Sequence, residues 1–237
     1  VEAGRADFVE EVDAKILIPR NMPMDALYLK DYEDSFARFD KARFFASVFE
    51  KIYRFGNNQD HNLLRAFETA WQRFGSSPTF QQVYDLYKEI ADVEVDGITG
   101  VLQTFVRRQI FSTNPAEFKP FKELINGRVL ILALDDFGQD TKLKNLVVAL
   151  FLDQYKDYMS SFTQDEVQDE LRVINSLLII DEALNILPYK FPTLEAILRE
   201  GRSFGVGTAL STQLVRDFDQ GRGADAVPFD QLLRSWV

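Results

Sequence analysis

Apolar and polar positions follow two different rhythms along this chain. From about Tyr28 to Phe111 the apolar residues recur every three or four positions, the signature of helices with one buried face. Phe36, Phe39, Phe44, Phe45, Val48, Phe49, Ile52 and Tyr53 predict a single aromatic stripe on one long amphipathic helix. Gly56-Asn57-Asn58 breaks it. A second helix is expected from Asp60 to Phe74, ended by Gly75-Ser76-Ser77-Pro78. A third takes Ser77 as N-cap and Pro78 as its first residue and runs to Ile90. A fourth spans Ile98 to Phe111, closed by Asn114-Pro115. The block has no repeat period, so it reads as a subdomain and not a solenoid.

On either side of this block the pattern differs. Lys15 to Ile18 predicts a short strand stopped by Pro19. After Pro115 strands and helices alternate. Strands are expected at Val129–Leu134, Ser176–Ile180, Val206–Leu210 and Leu232–Val237; helices at Thr141–Tyr158, Asp165–Val173 (short and acidic) and Thr193–Arg202. Such alternation predicts an α/β protein with a parallel sheet. The organisation that follows is an N-terminal strand and loop of the core (residues 1–27), a helical insertion (28–115) and the C-terminal part of the core (116–237). A last element that stops inside a strand raises the expectation that these residues are a piece of a longer polypeptide.

The run Leu177-Leu178-Ile179-Ile180 suits a strand buried on both faces, and Asp181-Glu182 follow at its carboxyl end, where open α/β sheets bind ligands. Asp181 could hold a magnesium ion and Glu182 could orient and deprotonate a water. The alternative is that the two acids simply cap a following helix. Val206 to Leu210 would deliver Ser211-Thr212-Gln213 to the same edge, where a glutamine can sense a terminal phosphate or the water. Arg199 and Arg202 lie near the end of the intervening helix. Arginine bridges phosphate oxygens well, and it also pairs favourably with a helix dipole.

Composition narrows the picture. The 237 residues are 46% hydrophobic, enough for a real core, and 21 phenylalanines make that core or an interface unusually aromatic. The absence of cysteine excludes disulfides and thiolate metal sites. A net charge of -10 opposes non-specific attraction to nucleic acid, so any DNA contact must be local, such as a loop lining a ring channel. No apolar segment approaches the roughly 20 residues that span a bilayer, and there is no signal-peptide pattern, so the chain reads as soluble, cytoplasmic and free of membrane contact. His61, the one histidine, sits between Asp60 and Asn62 at a helix start and reads as solvated. Asp135 and Asp136 read as a surface turn, and Gln164 to Glu170 as a solvated helix face.

Three stretches in order, Leu-Leu-Ile-Ile-Asp-Glu-Ala (177–183), Ile-Leu-Arg-Glu-Gly-Arg-Ser-Phe-Gly-Val-Gly (197–207) and Leu-Ser-Thr-Gln (210–213), resemble the HerA/FtsK superfamily of ring-forming motor ATPases. The similarity extends over roughly Glu117 to Val237. The resemblance implies a partial RecA-like parallel sheet with flanking helices, use of ATP and magnesium, and a homo-oligomeric ring, a hexamer by analogy, acting on double-stranded DNA. Asp181 matches the magnesium-binding acid and Glu182 the catalytic one. Gln213 matches the residue that reads the terminal phosphate. Arg202, with Arg199 as second candidate, matches an arginine presented to a neighbouring subunit's nucleotide. It further implies ATP-driven DNA translocation or remodelling, as in DNA processing or anti-phage restriction. The narrower form is the HerA-like component of a phosphorothioation-dependent system with nuclease or other defence subunits. The alternatives are a type IV secretion or conjugation ATPase and a non-catalytic scaffold with a degenerate ATPase fold.

One departure stands out. The superfamily's phosphate loop, G-x-x-x-x-G-K-[ST], is absent from these 237 residues; Gly97-Ile98-Thr99-Gly100 has no lysine after it and a helical context. The expectation is that the loop lies upstream of Val1 and that these residues alone turn over no ATP; a degenerate relative is the other account.

Overall fold

The computed structural model describes residues 6–125, 127, 129–162 and 173–213. The chain divides into two compact units, residues 1–144 and 145–237. The strand expected at 232–237 and all but the last residue of the helix expected at 165–173 lie outside the described residues.

The first unit opens with helix α1 (Ala6–Glu11) and strand β1 (Lys15–Leu17). Four helices follow: α2 (Ser35–Tyr53), α3 (Asn57–Phe74), α4 (Phe80–Ala91) and α5 (Gly97–Arg107). The short helix α6 (Phe121–Ile125) leads to β2 (Leu130–Leu132), which pairs parallel with β1 in the register Lys15 to Leu130. A parallel pair needs a long crossover, and the helical block lies within it.

Aromatic packing holds the block together. Phe45, Phe49, Phe67 and Trp71 are fully buried, with ring centroids 5.1 Å apart for Phe45–Phe67 and 5.9 Å for Phe45–Trp71. The Trp71 indole N–H donates to the Leu27 carbonyl at 2.8 Å, tying the loop before α2 to α3. The expected single stripe is only half realised: Phe36 is 80% exposed. Nine residues at about 100° each put Phe36 on the face opposite Phe45.

Helix starts differ from expectation: α3 begins at Asn57 and not at Asp60, so Asn57 and Asn58 open that helix and only Gly56 stands before it as N-cap. Thr79, not Ser77, caps α4, because Thr79 and Gln82 satisfy each other's backbone N–H groups at 3.3 and 2.8 Å. Asp96 caps α5, and that helix ends at Arg107, not Phe111, since Gln109 turns left-handed at φ 49°. Ile110 and Phe111 then run extended beside Met22, with Met22 N–H donating to Ile110 at 3.0 Å and Ser112 N–H to Met22 at 2.9 Å.

Asp96 joins three helices. Its carboxylate accepts from the Thr99 N–H of α5 (2.8 Å), Gln59 Nε2 of α3 (2.9 Å) and the Tyr87 hydroxyl of α4 (2.6 Å). Burial pushes its pKa up, but these donors together outweigh burial and hold it below the usual carboxylate value. Tyr87 responds in the opposite sense: its own burial, then the bond to Asp96, raise its pKa well above the ordinary phenol range.

Helix α7 (Thr141–Ser160) begins with Asp140 accepting from the Leu143 N–H at 3.1 Å, and nearly all of it belongs to the second unit. There it is followed by β3 (Ser176–Ile180), α8 (Pro192–Glu200) and β4 (Val206–Leu210). Strands β3 and β4 pair in parallel from Ser176–Val206 to Ile180–Leu210. The Tyr155 hydroxyl of α7 donates to Ser176 Oγ at 2.9 Å, fastening the helix to the start of β3; burial pushes that hydroxyl's pKa up. The protein is thus α/β, with parallel strands, flanking helices and a helical block inserted into the N-terminal crossover.

Strand β3 is not buried on both faces as its composition suggests. Leu178 is buried, while Leu177 and Ile179 are 56% and 65% exposed. Alternation explains this: in register with Gly207 and Ala209, Leu177 and Ile179 share one face, and the residues that are covered share the other.

Candidate functional site

The carboxyl ends of β3 and β4 lie side by side because the ladder continues past both strands. The Ser211 N–H donates to the Ile180 carbonyl at 2.9 Å, and the Ala183 N–H donates to the Ser211 carbonyl at 2.8 Å. This braid sets Asp181 and Glu182 beside Ser211, with Gln213 exposed two residues further on. The structure therefore gathers the two acids and the Ser211-Thr212-Gln213 segment at one sheet edge.

Neither acid caps an α-helix. Glu182 adopts a left-handed conformation (φ 50°, ψ 45°) and its side chain makes no capping bond to the 3-10 turn Ala183–Asn185 that follows. Asp181 Oδ1 accepts the Glu182 N–H at 3.0 Å, a local bond that occupies one carboxylate oxygen. The next α-helix is α8, which starts at Pro192. Both acids are exposed.

Asn185, which the sequence did not single out, donates from Nδ2 to Glu182 Oε2 at 3.3 Å. Its only sequence signal is a Glu-x-x-Asn spacing in a loop. Asn175 is a second such residue: its Nδ2 donates to the Phe204 carbonyl at 3.0 Å and its N–H to the Gly205 carbonyl at 2.7 Å, closing the amino edge of the pair.

The arginines lie elsewhere. Arg199 sits in the last turn of α8 and its Nε donates to Glu195 at 2.8 Å, an i,i+4 ion pair. Arg202 is exposed in the 3-10 turn Gly201–Phe204 that leads through Gly205 into β4. Since Val206 pairs with Ser176, both arginines are at the amino edge of the strands. Five residues of strand, roughly 16 Å at 3.3 Å each, separate that edge from the acids.

The exposed carboxylate of Asp181 is of the chemistry that suits a hard divalent cation. Among the described residues no group of three or more His, Cys, Asp or Glu side chains could hold a metal by protein ligands alone. That donor set matches magnesium, which takes one or two carboxylates and completes its shell with water and phosphate oxygens.

A two-stranded parallel element with acids at its carboxyl edge, fed by helices, defines an α/β fold of the kind that binds ligands at strand ends. Among solved structures it is similar to VirB4 of Thermoanaerobacter pseudethanolicus, with a TM-score of 0.62 at 13% identity over 91% of this chain and 61% of that one. The chain thus spans about three fifths of the length of that protein. No protein-family model matches the sequence, and no curated protein does. No described helix is long and apolar enough to cross a membrane.

Proposed function

We propose that this chain is part of a motor ATPase of the FtsK/HerA/VirB4 type. The observation that carries the reading is the braid at the carboxyl ends of β3 and β4, which holds Asp181, Glu182 and the Ser211–Gln213 segment together; the fold likeness to VirB4 supports it. Asp181, with one oxygen engaged by the Glu182 N–H, offers the other to magnesium, which when bound neutralises phosphate charge. Glu182 takes a proton from water as the water oxygen bonds to the terminal phosphorus. The phosphorus bond to the bridging oxygen breaks, its electron pair leaving with ADP. Gln213 hydrogen-bonds the terminal phosphate or that water. These 237 residues contain no G-x-x-x-x-G-K-[ST] loop, so this reading requires a phosphate-cradling loop from elsewhere in the protein.

The full-length protein acts as a homo-oligomeric ring in this reading, with Arg202, or Arg199, facing a neighbouring subunit's nucleotide. Double-stranded DNA is the first-choice substrate, in DNA processing or restriction with nuclease or other defence subunits, in the cytoplasm. The likeness to VirB4 favours the second reading, a secretion or conjugation ATPase. Glu182→Gln in the full-length protein should leave ATP bound and cut kcat by at least about 100-fold in a steady-state phosphate-release assay. An unchanged kcat would remove Glu182 from this role and overturn the reading.

A further inference from the structure

We propose that Asn185 is a positioning residue for Glu182, holding Oε2 so that Oε1 alone meets the attacking water; the assignment rests on the ATPase reading of Glu182. A carboxylate on a flexible stem can turn either oxygen, or neither, toward a water. A base must be within hydrogen-bond reach of the proton that it removes, so a fixed rotamer is worth more to turnover than to folding. Two features supply it here. The left-handed backbone at Glu182 sets the direction in which the side chain leaves the chain. The 3-10 turn that follows has three residues per turn, which brings positions 182 and 185 over one another and lets the Asn185 amide reach Glu182 Oε2 at 3.3 Å.

The turn does not need this contact to form. Its backbone is already held by the Asn185 N–H to the Glu182 carbonyl (3.0 Å), the Ile186 N–H to the Ala183 carbonyl (3.0 Å) and the Ala183 N–H to the Ser211 carbonyl (2.8 Å). Ala183 is fully buried and anchors the turn, whereas the Asn185 side chain is exposed, so removing its amide leaves no buried polar group without a partner. An amide is also chemically apt: it donates to the carboxylate without carrying a positive charge and without titrating near neutral pH. The structure therefore divides the labour between the two acids by atom. Asp181 uses Oδ1 on its neighbour's N–H, and Glu182 uses Oε2 on Asn185.

The test compares full-length wild type, Asn185→Ala, Asn185→Asp and Glu182→Gln by kcat, KM for ATP and thermal midpoint. Assays are run at a temperature where every variant is folded. Asn185→Ala should lower kcat about tenfold with KM and midpoint unchanged. Asn185→Asp, which keeps the shape but replaces the donor by a second anion, should lower kcat further. A residue that serves only the turn gives the reverse pattern, with Asp close to wild type and any loss following the midpoint. Asn185→Ala with kcat within about twofold of wild type, or Asn185→Asp matching wild type, while Glu182→Gln is inactive, overturns the positioning role and leaves the ATPase reading standing. A wild type without turnover, or an active Glu182→Gln, overturns the reading itself and the proposal with it.

Discussion

Asp25 and Asp96 are carboxylates in the same unit that respond to burial with opposite outcomes. Asp25 accepts the Leu27 N–H at 3.3 Å and a bond from Ser77, yet burial dominates and raises its pKa from 3.8 to about 6. Asp96 has enough donors to be held below its usual value. The two therefore pull stability in opposite directions as pH changes. For Asp25 the folded pKa lies above the unfolded one, so its contribution is fully present below about pH 3.8 and is lost as pH rises through about 6. Asp25→Asn should flatten that part of the profile and raise stability at neutral pH by on the order of 2 kcal/mol. Chemical denaturation across this pH window checks it; a variant that still loses stability like wild type would show that another group is responsible.

Among the elements, the entry into β4 is the most constrained. Gly205 has φ 69°, and a Cβ there would lie 2.5 Å from the Val173 carbonyl oxygen and 2.7 Å from Asn175 Nδ2. Gly205→Ala should lower the thermal midpoint, by at least the roughly 1–2 kcal/mol of a left-handed alanine and more if the Asn175 bonds are lost. An unchanged midpoint in a thermal melt would mean that the edge shifts freely. The glycine is plain in the sequence, but its reason is not, because Asn175 is thirty residues away. The same limit governs the rest. The positions of β3 and β4 and the acids after β3 are legible since an apolar run and its polar end are local signals. The face that β3 leaves uncovered is not, because it depends on which neighbours pack against it. Likewise the nine-residue spacing sets Phe36 and Phe45 on opposite faces of α2, but which of the two faces is covered depends on how α3 packs and is not a local signal. The Glu-x-x-Asn spacing is too common to single out Asn185, because its bond to Glu182 exists only once the 3-10 turn has folded.

At the scale of the whole molecule, the distance between the two edges of the β3–β4 pair matters most. Arg202 and the acids belong to the same unit and stand roughly 16 Å apart along the strands; under the proposed ATPase reading, a nucleotide at Asp181 and Glu182 would lie at the edge away from Arg202 of the same chain. The same reading then predicts that Arg202 acts across a subunit boundary. Mixing wild-type protein with Arg202→Ala in rising proportion should depress ATP turnover more steeply than the share of mutant chains, since one defective chain disables a neighbour's site. Activity strictly proportional to the wild-type fraction would argue against it.

The left-handed backbone of Glu182 has a consequence for how this position tolerates change. A glutamate there carries a conformational cost of order 1 kcal/mol that glycine would not, and asparagine would carry less. Folding alone therefore prefers other residues at position 182. Glycine, asparagine and the shorter aspartate suit this backbone better, and none of them carries a carboxylate on the stem of a glutamate; if Glu182 acts as the proposed base, selection for yield and selection for turnover pull this single position in opposite directions.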